Sequence, residues 1–127
     1  MNIPESIRIG GVEYAVTYEP FLSMDGRELC GMIDYQQNVI SLSENVGMSH
    51  ERQCLTLWHE IMHGVLNHFD LDLEDEERVV EIVARGVYQV LQDNMSRLFG
   101  PAPSIEMYPP TTFVEKERND NEDWQLV

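Results

Sequence analysis

The stretch His59-Glu60-Ile61-Met62-His63 places two imidazoles four residues apart, with a carboxylate between them. On an α-helix, residues four apart lie one above the other, so both rings can offer a nitrogen to one metal ion. Glu60 stands about 100° further round the helix, where it can take a proton from a metal-activated water instead of binding the metal. Two ligands and a general base on one turn is the spacing used for zinc-assisted hydrolysis. The competing reading is a helix that carries two histidines and no metal.

The surrounding residues favour the metal. From Ser49 to Asn67, Leu55, Trp58, Ile61, Met62, Val65 and Leu66 recur at three- and four-residue spacing, the period of a helix packed on a core. Ser49 is a suitable cap, although Gln53 lies one position beyond the capping-box slot. Burying two histidines and a glutamate without partners is costly, and a zinc ion removes much of that cost.

A catalytic zinc takes three protein ligands and leaves a fourth position for water. Four residues downstream are candidates: His68, Glu74, Glu77 and Glu81. His68 follows His63 by five residues, about 140° round the same helix, which suits a helix-end histidine better than a ligand. The three glutamates lie in or before a second helix, expected over about Leu73 to Asn94. Its start is rich in acid (Asp72, Glu74, Asp75, Glu76, Glu77), as expected of a solvated first turn. Glu81 differs because it interrupts the apolar run Val79-Val80-Glu81-Ile82-Val83-Ala84, where a carboxylate needs a metal or a cation. Arg78 or Arg85 could supply that cation. The link from His68 to Asp72 is short, so the second helix folds back antiparallel on the first. That arrangement brings Glu81 toward the His59–His63 face.

The run His59-Glu60-Ile61-Met62-His63-Gly64 followed by Glu81-Ile82-Val83-Ala84 resembles the ImmA/IrrE-type metallopeptidases of phages and mobile elements. The resemblance covers roughly Ile3 to Asn94. It implies a compact gluzincin, a minimal zincin-like α+β fold with a small antiparallel sheet packed on the HExxH helix and the antiparallel helix after it. It further implies Zn2+ bound by His59, His63 and Glu81, with Glu60 as the catalytic base. Members of that family cleave phage or stress-response repressors, often beside a helix-turn-helix protein. The present chain departs from longer members in carrying no DNA-binding segment and in ending with an acidic tail.

The remaining residues describe a scaffold of matching size. Residues 1–95 are expected to form one domain and residues 96–127 a Pro-containing acidic tail. Ser6 to Tyr18 alternates apolar and polar residues around Gly10-Gly11 and reads as a hairpin. Met32 to Tyr35 and Val39 to Leu42 form a second pair of strands, one of them an edge that an extended substrate could join by strand addition. A plain antiparallel sheet covering the helices is the alternative. In the tail, Gly100-Pro101-Ala102-Pro103 ends any helix, and Tyr108, Phe113 and Trp124 are spaced apolar residues.

The net charge of −15, from 23 acidic and 8 basic residues, opposes binding to nucleic-acid phosphates or anionic membranes. It favours a basic protein partner, such as a DNA-binding repressor. Cys30 and Cys54 are the only cysteines; with no signal peptide ahead of the first strand, the expected setting is the reducing cytoplasm. Cys54 lies five residues before His59 and suits a small buried residue. No apolar run approaches membrane-spanning length. The expected activity is a zinc-dependent endopeptidase acting on a protein or peptide. Its rival is a non-catalytic zincin-fold protein that recognises a partner, and an intact Glu60 speaks against that, because a structural site needs no base.

Overall fold

The computed structural model describes residues 1–45 and 47–101. Strands β1 (Ser6–Ile9) and β2 (Val12–Glu19) form the first hairpin, in register from Ser6 opposite Ala15 to Ile9 opposite Val12. Its turn residues Gly10 and Gly11 have φ of +59° and +84°, the left-handed pair that a two-residue hairpin turn needs. Gly10 is constrained twice over, since a Cβ there would run into the ring of His68.

A small second hairpin, β3 (Ser23–Met24) and β4 (Arg27–Glu28), turns at Asp25-Gly26, with φ of 52° and 78°. Strands β5 (Gly31–Asp34) and β6 (Val39–Ser43) complete the main sheet, whose order is β1-β2-β6-β5. Both hairpin pairs are antiparallel, but β2 and β6 are parallel, from Ala15 opposite Val39 to Glu19 opposite Ser43. The expected all-antiparallel sheet is therefore mixed at its centre. The physical cause is the stretch after β2: it is long enough to carry the chain back across the sheet end, so the β5–β6 hairpin docks with β6 innermost. The α+β layout, one small sheet on the histidine-bearing helix with a second helix following, is as expected.

Helix α1 (His50–His68) starts at Ser49, whose hydroxyl accepts from the Arg52 N–H at 3.1 Å. It buries Leu57 and Ile61 against Ile9, Tyr14, Val16, Ile40 and Leu42 of the sheet, with Trp58, Met62 and Val65 alongside. Ile40, Leu42 and Leu57 are wholly excluded from solvent. Helix α2 (Glu76–Asp93) buries Val80, Ala84 and Tyr88, spaced at four residues on one face. Tyr88 meets Cys54 of α1, while Glu77 meets His63, so the two helices run antiparallel. Side-chain positions at two glycines also fix the strand beside α1. A Cβ on Gly31 would meet Thr56 and Glu60, and one on Gly64 would meet Ile33. Strand β5 therefore runs alongside α1 in the same direction.

By contacts the chain divides into Met1–Asn94 and Met95–Val127. The described part of the second unit is the short helix α3 (Met95–Phe99), closed by the Gly100 N–H on the Ser96 carbonyl at 2.8 Å. The expected tail anchors Tyr108, Phe113 and Trp124 lie outside the described residues.

Candidate metal centre

His59 and His63 stack along one face of α1 with ring centroids 4.9 Å apart. Every ring nitrogen of the pair faces a carboxylate on α2. His59 Nε2 is 2.8 Å from Glu77 Oε1 and its Nδ1 is 3.0 Å from Glu81 Oε1. His63 Nδ1 is 2.8 Å from Glu76 Oε2, and its Nε2 lies 3.2 Å from Glu77 Oε2. A neutral imidazole has only one N–H, so four such hydrogen bonds require both rings to be charged at close range. A metal ion held by one nitrogen of each ring and an oxygen of Glu77 would resolve the conflict. Each Nδ1–H would then be free to donate to its own carboxylate, Glu81 or Glu76, as metal-bound histidines commonly do.

The donor atoms are close enough for this. One nitrogen from each of His59 and His63 and one oxygen from Glu77 all lie within 4.8 Å of one another. Two imidazoles and a carboxylate form a donor set that suits zinc. Glu81 lies one turn further along α2 and is engaged twice, by His59 Nδ1 and by the guanidinium of Arg85. Of the two cations considered for Glu81, it is Arg85 and not Arg78 that pairs with it among the described residues, while its other oxygen faces His59.

Electrostatics follow the same division. Arg85 beside Glu81 holds its carboxyl below the usual range, against a small burial effect and with help from His59. Burial alone would raise the Glu77 carboxyl, but the His63 and His59 rings outweigh it and the net direction is down. Glu60 behaves oppositely. It is 7% exposed, and burial pushes its carboxyl up despite the neighbouring imidazoles. A carboxyl raised in this way holds a proton more readily, which suits an acid–base group.

These residues open onto one cleft of about 880 Å³, walled by β5 and the β3–β4 hairpin on one side and the two helices on the other. Among the described residues strand β5 pairs only with β6, and its other edge borders this cleft without a strand partner. Gly31 lines the cleft beside Glu60. Tyr35 also lines it; burial and the charges of Glu76 and Glu60 push its phenol up to about 12.

His68 and Tyr88 lie away from the cleft. His68 rests on the β1–β2 turn, its ring edge-on to Phe69 at 4.8 Å. Tyr88 is buried against Cys54 and does not line the cleft. Among the residues that sequence reasoning undervalued, Glu77 had a legible signal, because it precedes Glu81 by four residues and shares its helix face. Glu76 and Tyr35 had none, since their contacts depend on how α2 and the β5–β6 turn are placed.

Comparison with curated proteins and with solved structures yields no match. A family model described as the IrrE N-terminal-like domain, peptidase M78, matches residues 12–87, more than half of the chain. That span runs from the start of β2 into α2 and contains His59, Glu60, His63, Glu76, Glu77 and Glu81. With its histidine pair, buried glutamate and facing carboxylates all inside the matched span, the chain belongs to the peptidase M78 family of IrrE N-terminal-like domains.

Proposed function

We propose that this protein is a zinc-dependent endopeptidase that hydrolyses a peptide bond with Glu60 as general base. The observation that carries the reading is the convergence of His59 Nε2, His63 Nε2 and a glutamate of α2 beside the buried Glu60. Zinc, when bound, supplies a Lewis acid that acidifies water and draws charge from the scissile carbonyl. Glu60 takes the proton released in attack and passes it to the departing amine. The free edge of β5 offers main-chain N–H and C=O groups to an extended peptide, holding it across Glu60.

Two readings of the third ligand stand on specific observations. The Glu81-Ile82-Val83-Ala84 pattern favours Glu81, with His59 and His63, as the ligand set. The distances favour Glu77, which faces both Nε2 atoms, and leave Glu81 orienting His59 through Nδ1. A substrate that is itself a regulatory protein, such as a DNA-binding repressor, is consistent with the acidic balance of the chain. A cytoplasmic setting fits the absence, among the described residues, of any helix able to cross a membrane. Residues 1–95 as the working domain and residues 96–127 as an appended tail complete the proposal.

Glu60→Gln tests it. The amide keeps the shape but cannot accept a proton, so the variant should retain zinc and lose peptide hydrolysis. Loss of zinc in Glu60→Gln would make Glu60 a ligand and overturn the assignment of roles. Undiminished hydrolysis would remove it as the base.

A further inference from the structure

The cleft has charges at one end that the proposed hydrolysis does not use. Among its lining residues, Glu28 accepts from Asn45, Glu77 faces both histidines, and Glu81 is paired with Arg85. Glu60 stands beside the histidines. The two charged groups left over are Arg27 of β4 and Arg52 of α1, both exposed and neither in an ion pair among the described residues. Two guanidiniums in one cleft with no ion pair among the described residues are notable in a chain of net charge −15 with only 8 basic residues.

Their placement can be read from the fold. Strand β5 and α1 run in the same direction, with Gly31 beside Thr56 and Glu60 and Ile33 beside Gly64. Going backward along both elements leads past Cys30, Leu29 and Glu28 to Arg27 on one wall, and past Leu55 to Arg52 on the other. Arg52 also borders a smaller depression next to this end, which it shares with Glu28, Leu29 and Cys30 among others. Arg52 precedes His59 by seven residues, about 10 Å along the helix. An extended peptide advances about 3.3 Å per residue, so that distance corresponds to about three substrate residues.

We infer that Arg27 and Arg52 select a substrate with an acidic side chain about three residues to one side of the scissile bond. This deepens the endopeptidase reading and rests on it. A guanidinium offers paired N–H donors that match a carboxylate, and a carboxylate near two such groups is attracted by both. The same pair disfavours Lys or Arg at that position. The acidic protein thus excludes acidic chains in general yet admits one acidic residue at a defined place.

The test uses zinc-loaded protein and two fluorescent peptide libraries identical except that every Glu in one is Gln in the other. Binding is measured on Glu60→Gln, and cleavage by wild type is mapped by mass spectrometry. For two solvent-facing pairs the Glu library should bind on the order of tenfold more tightly. That ratio should fall toward one when Arg27→Gln and Arg52→Gln are added together. It should persist with Arg8→Gln, which lies on β1 and pairs with Glu13, and fall only in part with Arg52→Lys, which keeps the charge and loses the paired donors. Cleaved bonds should carry Glu about three residues away on one side only. Equal binding of the two libraries, or a preference that survives loss of both arginines, overturns the inference. Preferred binding without cleavage of either library upholds the acidic subsite and overturns the endopeptidase reading instead.

Discussion

A Cβ placed on Gly31 would stand 3.2 Å from Oε2 of Glu60 and would also strike the methyl of Thr56. The edge strand therefore reaches the base of the cleft only because residue 31 has no side chain. Glu60 is buried by that close approach, and its burial raises its carboxyl.

Gly31→Ala should accordingly destabilise the protein by about 1–3 kcal/mol, the usual cost of forcing an extra methyl into a packed contact. Its backbone φ is not in the left-handed region, so the cost comes from the contact alone. Adding Thr56→Ala removes the struck methyl and should recover much of the loss in a denaturant titration. Additive losses in the double variant would show that Thr56 is not the obstacle.

The two carboxylates on α2 separate under zinc titration. If Glu77 binds the metal and Glu81 orients His59, Glu81→Ala should weaken zinc by roughly 10- to 100-fold, the effect of losing an outer partner. Glu77→Ala should weaken it further, because a bond and a charge are both removed. The reverse order would give the metal to Glu81 and leave Glu77 as the supporting group. Arg85→Ala should have the smallest effect of the three, since its one ion pair among the described residues is with Glu81.

Alkaline stability follows from Tyr35. Burial, then Glu76, Glu60 and Tyr14, push its phenol from the ordinary 10.0 up to about 12. The folded value is the higher one, so the contribution is fully present below pH 10. Between 10 and 12 the unfolded chain sheds this proton while the folded chain keeps it. Stability should fall as pH rises through that window, and Tyr35→Phe should flatten the fall. Ultraviolet titration of the phenols, read beside thermal melts, checks both parts; an unchanged slope in Tyr35→Phe would contradict the raised phenol of this half-exposed side chain.

Much of this site could be read from spacing. The histidine pair, its helix and the serine cap depend on contacts within a few residues, and α1 begins and ends within a residue of the expected bounds. The Gly10-Gly11 hairpin was equally local. The Asp25-Gly26 turn carried a strong hairpin signal as well, but its strands are only two residues long and offer no alternation to notice. The parallel β2–β6 pairing was not legible, because it depends on where a later hairpin docks rather than on any residue within either strand. The same limit governs the carboxylates of α2. Composition marked Glu76 and Glu77 as a solvated first turn and only Glu81 as facing the histidines, whereas the packing of Val80, Ala84 and Tyr88 turns Glu77 as well as Glu81 toward the imidazoles.

The central claim is one metal between His59 and His63, and metal content measured by mass spectrometry tests it most directly. Purified protein equilibrated with zinc and then desalted should hold about one zinc per chain. The His59→Ala, His63→Ala double variant, confirmed folded by circular dichroism, should hold essentially none. Full zinc occupancy in that double variant would contradict the account.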